Sequence, residues 1–522
     1  MARMNTRNAK PRNTAATPIA TTGQAFTAEG GAGWQRTPKG ELFLAAVTSL
    51  NEDTFYETAD DRANRIQSLT TAAEIVNDPE WTLGLVRWLR QEVGLRSIPT
   101  VVAISAAKAR LDAGLTGTNR QIVEAAIGRL DEASDMVAGW MSLYGRNIPS
   151  CVRRGVADAL RARLSERSYL KWAGRMNNGS VSLRDVINLT HPKPKDKKQT
   201  ALFKLVLDEG YGQKGNDKQL PVIRVRRRFL AMDRDAQISA LTGPDAQDVI
   251  RKAALTHEVI AGSIGTIPAD VWETLVPTMG YMALRMNLRR IEASGASRAL
   301  IATINERLSD VEEAAKSRTM PVSFYAAYKN APLAFAAALQ DAANASLENV
   351  PALKGRTLVL LDRSGSMSGI LSAKSSLSCQ DAANVFASAL ALRGENVRVV
   401  AFDTHMEDVQ VNSSDLLRVV DQMPTPRGGT YTHNAIAYAH DGGRQYDRIV
   451  ILTDEQYWGG SVDKALDTYA PGVPVFTWNL AGYATAQMEA RKGRWTFGGL
   501  SDKGFQMIPL LERGMGQSWP WE

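Results

Sequence analysis

The feature that most constrains this chain is a change of hydrophobic period near Pro351, which separates two kinds of fold. From about Gly40 to Ser346, apolar residues recur at helical spacing between short Gly, Pro, Asp or Asn breaks. Trp81, Leu85, Trp88 and Leu89 form one such stripe. It is started by Asn77-Asp78-Pro79-Glu80, a capping residue followed by a first-turn proline. The pattern predicts helices at 41–47, 98–113, 119–130, 150–164, 183–189, 200–209, 222–232, 270–278, 279–291, 296–308 and 333–345. Many medium helices with short connections predict stacked helical pairs rather than one bundle.

Beyond Pro351, short runs of strand formers appear at 357–361, 397–402, 449–453 and 473–480. Helical stretches at 373–392, 415–423, 433–441 and 462–469 lie between them. Buried strands alternating with helices predict a parallel sheet covered on both faces, a doubly wound α/β domain. The expected organisation is therefore a basic arm over 1–22, a helical region over 23–352 and an α/β domain over 353–522.

The arm carries Arg3, Arg7, Lys10 and Arg12 with no acid before Glu29, too little apolar material to fold alone. It is also too polar for a signal peptide, and no apolar run nears the roughly 18 residues of a membrane span. Two cysteines, Cys151 and Cys379, exclude a disulfide scaffold and a four-thiolate zinc site. These features predict a cytoplasmic protein without a membrane association. The net charge of +7 is uneven: Leu353–Glu522 has 16 basic and 18 acidic residues, leaving an excess of +9 on the rest. Such an excess fits either a polyanionic partner or a merely solubilising surface.

The strongest chemical signal follows the first predicted strand, where ligands bind in an α/β sheet. There Asp362-Arg363-Ser364-Gly365-Ser366 alternates a carboxylate and two hydroxyls, and Gly428-Gly429-Thr430 and Leu452-Thr453-Asp454 follow later. Asp362, Ser364, Ser366, Thr430 and Asp454 are hard oxygen donors suited to a divalent cation, Mg²⁺, Mn²⁺ or Ca²⁺. Hydrolytic chemistry is disfavoured. Ser364 lacks the Gly-x-Ser-x-Gly context, although His405 and His433 lie in the same domain, and no phosphate-cradling Gly-x-x-x-x-Gly-Lys-Ser/Thr run occurs. The helical part offers the run from Lys193 through Lys195 to Lys198, the cluster Arg224, Arg226, Arg227 and Arg228, and Lys171 with Arg175 four residues on. Together they suggest a phosphate-contacting surface.

The donor set resembles the metal-ion-dependent adhesion site (MIDAS) of von Willebrand factor A domains. That resemblance implies Ser364 and Ser366 as direct ligands, Thr430 as a direct or water-mediated one, and Asp362 and Asp454 through water or directly. It also implies a coordination position left for an acidic group of a partner protein. The helical part, with Ser182-Leu183-Arg184-Asp185-Val186-Ile187-Asn188-Leu189-Thr190-His191-Pro192-Lys193-Pro194, is similar to the TROVE family, which comprises the Ro autoantigen, its bacterial relatives and components of telomerase and vault particles. Leu255-Thr256-His257-Glu258, Val271-Trp272-Glu273 and 279–288 resemble it as well, and the Ro branch fits best. The resemblance implies a ring of HEAT-like helical repeats closed by the A domain, mostly α plus α/β.

It further implies a non-enzymatic ribonucleoprotein in RNA quality control. Small noncoding Y-like RNAs would bind the outer basic surface, and single-stranded ends of misfolded RNAs the central hole. An exoribonuclease would be tethered through the RNA. Lys171, Arg175 and His191 fall on positions that look like the family's Y RNA contacts, although the 177–181 stretch looks longer than the family's. Lys193, Lys195, Arg224 and Arg227 complete the expected RNA surface. The other reading is a metal-dependent protein-adhesion module in which the helical array is a spacer.

Overall fold

The computed structural model describes residues 21–26, 32–47, 59–177, 180–317, 319, 321–370, 377–481, 485–489, 493–498, 508–509, 512 and 519–522. The expected arm lies outside them as far as residue 20. They form two compact units, Ile66–Asn349 and Val350–Glu522 together with the chain up to Arg65.

The first unit is helical, as its period requires. Its packing runs between helices close in chain order, for example Asn119–Ala126 against Ser150–Arg163, and Arg298–Ser309 against Ala336–Ala345. That neighbour-to-neighbour pattern is the one a stacked array produces. The proline-started helix is Pro79–Arg87, with Asp78 accepting from the Trp81 N–H at 3.0 Å and Trp81 and Leu85 buried. Helices not predicted include Ala59–Leu69, Glu132–Tyr144, Arg234–Thr242 and Pro321–Asn330.

The second unit starts with a hairpin, β1 (Thr21–Phe26) antiparallel to β2 (Ala32–Arg36), then α1 (Pro38–Val47). The expectation placed these residues in the helical region. Instead they pack on the α/β domain: α1 lies against the edge strand Arg494–Gly498, and Phe43 is 5.4 Å ring to ring from Trp519. The domain itself holds β3 (Arg356–Asp362), β4 (Asn396–Phe402), β5 (Met406–Val409), β6 (Arg448–Thr453), β7 (Val475–Asn479) and β8 (Arg494–Gly498). They form one sheet in the order β5-β4-β3-β6-β7-β8. All neighbours are parallel except β5, which runs antiparallel to β4 at the edge. The all-parallel expectation is corrected there, because a three-residue turn after Phe402 folds a short polar strand back onto β4, with no crossover helix. Such a strand, Met406-Glu407-Asp408-Val409, carries too little apolar signal to be read in advance.

Leu358, Leu360, Val400, Phe402, Ile449 and Ile451 are fully buried under the helices Thr432–Ala439 and Val462–Tyr469. Each such side chain contributes roughly 1.5–3 kcal/mol relative to exposure. The helix Cys379–Arg393 begins with a Ser378–Asp381 capping box and is buried along almost its whole length. From β3 the chain moves to β4 on one side, then crosses to β6 on the other. The switch point of the sheet therefore lies between the carboxyl ends of β3 and β6, where a crevice opens.

Candidate metal centre and nucleic-acid interface

Asp362 ends β3 and Asp454 follows β6, so the switch point brings both carboxylates together, fully buried. The Ser364 N–H donates to Asp362 Oδ1 at 2.8 Å, and the Thr453 hydroxyl donates to Asp362 Oδ2 at 2.5 Å. Ser364 Oγ and Ser366 Oγ stand 3.2 Å apart, and Ser366 lies near enough to Asp454 to favour its ionised form. Thr430 is buried beside them, and its carbonyl accepts the Trp458 N–H at 2.8 Å. Ser364, Ser366, Thr430, Tyr431, Gln456 and Trp458 line a cavity of about 490 Å³ above the pair. The structure thus gathers all five predicted donors at one place.

The loops that carry them are tied backbone to backbone: the Arg427 N–H donates to Arg363 O at 2.7 Å, and the Gly365 N–H to Gly428 O at 3.0 Å. Gly428 is required, since its φ of 67° is left-handed and a Cβ there would stand 3.0 Å from Thr404 Oγ1.

Burial, and then the charge of Asp454, push the Asp362 carboxyl well above the ordinary carboxylate range. Burial raises Asp454 as well. Among the described residues no basic side chain lines the cavity. Arg363, beside it in sequence, pairs with Asp403 at 3.0 Å and with Glu407. Among the described residues no cluster of three or more His, Cys, Asp or Glu side chains is placed to hold a metal. This donor set relies on hydroxyls instead, and it fits a hard cation. Asp454 Oδ2 is buried without a hydrogen-bond partner, and two buried carboxylates without a counter-cation are costly. Both histidines lie elsewhere. His405 is exposed, and His433 stands against Gly459 and Gly460.

The basic residues separate more widely. Lys171 and Arg175 are exposed one turn apart on a helix, Glu166–Asn177, which we call α2. Arg175 is 57% exposed yet pairs with the buried Asp131 at 3.0 Å. Helix α3 (Leu183–Thr190) packs on α2 and starts with a Ser182–Asp185 capping box. It ends at His191, an exposed residue with a left-handed φ of 48°. Lys193 and Lys195 are exposed in the turn that leads to α4 (Lys197–Gly210). On α5 (Pro221–Leu230), Arg224 is exposed. Arg227 is held by Asp217 at 2.9 Å, by Glu209 and by the Gly215 carbonyl at 3.0 Å.

Lys171 also lines a cavity of about 470 Å³ with Arg167, Arg226 and Arg251, where Glu258 is the one acid among the described residues of the lining. Sequence reasoning missed Arg167 and Arg251. Arg167 carried a signal, lying one turn before Lys171; Arg251 carried none.

Comparisons with known proteins agree with both halves. Residues 266–370 match the family model described as TROVE domain, and residues 356–476 the one described as Ro60 vWA domain. The chain is 26% identical over 366 residues to a Deinococcus radiodurans protein described as RNA-binding protein RO60, covering 65% of this chain and 64% of that protein. The chain therefore matches a little under two thirds of that relative's length. The crystal structure of the Deinococcus radiodurans RO (RSR) protein superposes with a TM-score of 0.65 over 91% of this chain and all of that one, at 20% identity, a likeness of fold. On these findings residues 266–370 are similar to a TROVE domain and residues 356–476 to a Ro60 vWA domain, and the chain shares its fold with the Deinococcus radiodurans RO protein.

Proposed function

We propose that this protein is a non-enzymatic RNA-binding scaffold of the Ro type. It takes small noncoding Y-like RNAs and the single-stranded ends of misfolded RNAs in the cytoplasm, with an exoribonuclease recruited through the RNA. The observation that carries the reading is the exposed basic tract of α2 and the α3–α4 turn, beside a cavity lined by Arg167, Lys171, Arg226 and Arg251 with one acid. The relative named as an RNA-binding protein supports it. Cationic side chains that neutralise phosphates release counterions, so affinity falls steeply as salt rises.

The test is a binding titration with a Y-like RNA at several salt concentrations. Replacing Lys171, Arg175 and His191 together by Ala weakens binding and flattens the salt dependence, while circular dichroism stays that of the parent. A triple variant that binds like the parent sinks these assignments.

The unpartnered carboxylate oxygen beside Ser364 and Ser366 favours a second role for the vWA domain. A divalent ion, Mg²⁺ or Mn²⁺ or Ca²⁺, held by Asp362, Ser364, Ser366, Thr430 and Asp454, would take an acidic group from a protein partner. Ser364→Ala with Ser366→Ala then abolishes divalent-ion binding and leaves RNA affinity intact. Ion binding that survives the double substitution counts against this role.

A further inference from the structure

Immediately after Asp454, Glu455 adopts a left-handed φ of 63°, a conformation its side chain disfavours. Such backbone persists only where the surroundings over-determine it, and here they do. The Glu455 carboxylate is completely buried and accepts from Arg36, from Asn479 Nδ2 at 2.7 Å and from the Gln487 N–H at 3.3 Å. Its own N–H donates to Thr453 Oγ1 at 3.0 Å, and that hydroxyl donates to Asp362. The next N–H, of Gln456, donates to Asp454 Oδ1 at 3.0 Å.

Arg36 reaches this turn from the other end of the chain. It closes β2, its side chain is completely buried, and it pairs with Glu455. Burial opposes its charge and lowers its pKa, an effect that Glu455 partly offsets. Removing Arg36 takes its cation from the buried Glu455 carboxylate, a strongly unfavourable change.

We propose that Arg36 is a positioning residue of the vWA metal site. Through Glu455 it holds the Thr453–Gln456 turn in the shape that presents Asp454, so that docking of the N-terminal hairpin and divalent-ion binding are coupled. This rests on the metal reading given above. The coupling is reciprocal: an ion that favours the ordered turn favours the docked hairpin by the same factor. The segment Ala32–Val47 is then part of the functional vWA unit. An isolated domain begun at Val350 lacks a residue its metal site needs.

The experiment titrates the full-length protein with Mn²⁺, following free ion by electron paramagnetic resonance. Amide hydrogen exchange over 32–47 and 453–460 is followed with and without the ion. Arg36→Leu weakens Mn²⁺ binding about tenfold, the lower end of what outer-shell partners of metal ligands contribute. Arg36→Lys, which keeps the charge, recovers most of it. In the unsubstituted protein, saturating Mn²⁺ slows exchange at 35–37.

A folded Arg36→Leu protein that binds Mn²⁺ like the parent overturns the proposal. So does exchange at 35–37 that ignores the ion, an outcome that decides the matter even where Arg36→Leu does not fold. The double substitution Ser364→Ala with Ser366→Ala separates the two ideas. If it leaves Mn²⁺ binding intact, the metal reading itself fails; if it abolishes binding while Arg36→Leu does not affect it, only the coupling fails.

Discussion

Arg224, Arg226 and Arg227 lie within one turn of α5 and meet three environments: solvent, a part-buried bond to the Ala254 carbonyl at 3.0 Å, and two carboxylates. An arginine already satisfied by the protein has little left for a phosphate, so under the proposed RNA-binding function Arg224 is the member best placed to contact one. His440 shows the same dependence on surroundings. It caps the helix Thr432–Ala439 and is buried against Tyr446 at 5.2 Å ring to ring, with Nδ1 2.8 Å from the Ile436 carbonyl. Burial, only partly offset by that carbonyl, lowers its pKa below the ordinary imidazole value. The unfolded chain therefore binds the proton first as pH falls. The stability that the neutral ring supports is complete above about pH 6.5 and is lost as pH drops towards the lowered folded-state value. Urea unfolding at about pH 7.5 and about pH 5.5 measures this: His440→Gln shrinks the loss between the two. An unchanged loss assigns the pH dependence to other groups.

Helix ends decide where several functional side chains point. The Ser182 hydroxyl accepts the Asp185 N–H at 3.2 Å, and the Asp185 carboxylate accepts the Ser182 N–H at 3.0 Å. This box starts α3, whose other end carries His191 in its left-handed conformation. Ser182→Ala costs about 1 kcal/mol, the usual worth of such a cap, read as a lower urea midpoint at an unchanged slope. An unaltered midpoint rules the cap out as a determinant of α3. The Ser-x-x-Asp spacing before an apolar run carried that box as a signal the sequence reading did not use. The strands β3, β4, β6 and β7 were legible, since most of their residues are buried and form short apolar stretches. β5 and β8 were not, since β5 has two polar residues among its four and β8 mixes Arg and Thr with aromatics. Several helices, such as Arg234–Thr242, carry weak apolar stripes and owe their stability to neighbours in the stack.

Across the whole molecule, the two kinds of hydrophobic period and the placement of hydroxyls and carboxylates after strand ends were properties of local sequence. They determined a helical array, an α/β domain and the five donors at its switch point, because periodicity and strand-end position survive whatever else the chain does. The +9 excess on the chain before Leu353 was less decisive, since it fits a polyanionic partner and a solubilising surface alike. Only the tertiary structure decided which cations are free, because the partners that neutralise Arg175 and Arg227 come from other elements or other turns of the chain. It also decided that the described residues before Arg65 belong with the C-terminal domain. Arg36 and Glu455 are 419 residues apart, and no local pattern encodes a buried ion pair at that separation. It exists because folding brings two otherwise costly buried charges to one point, where each removes the penalty of the other.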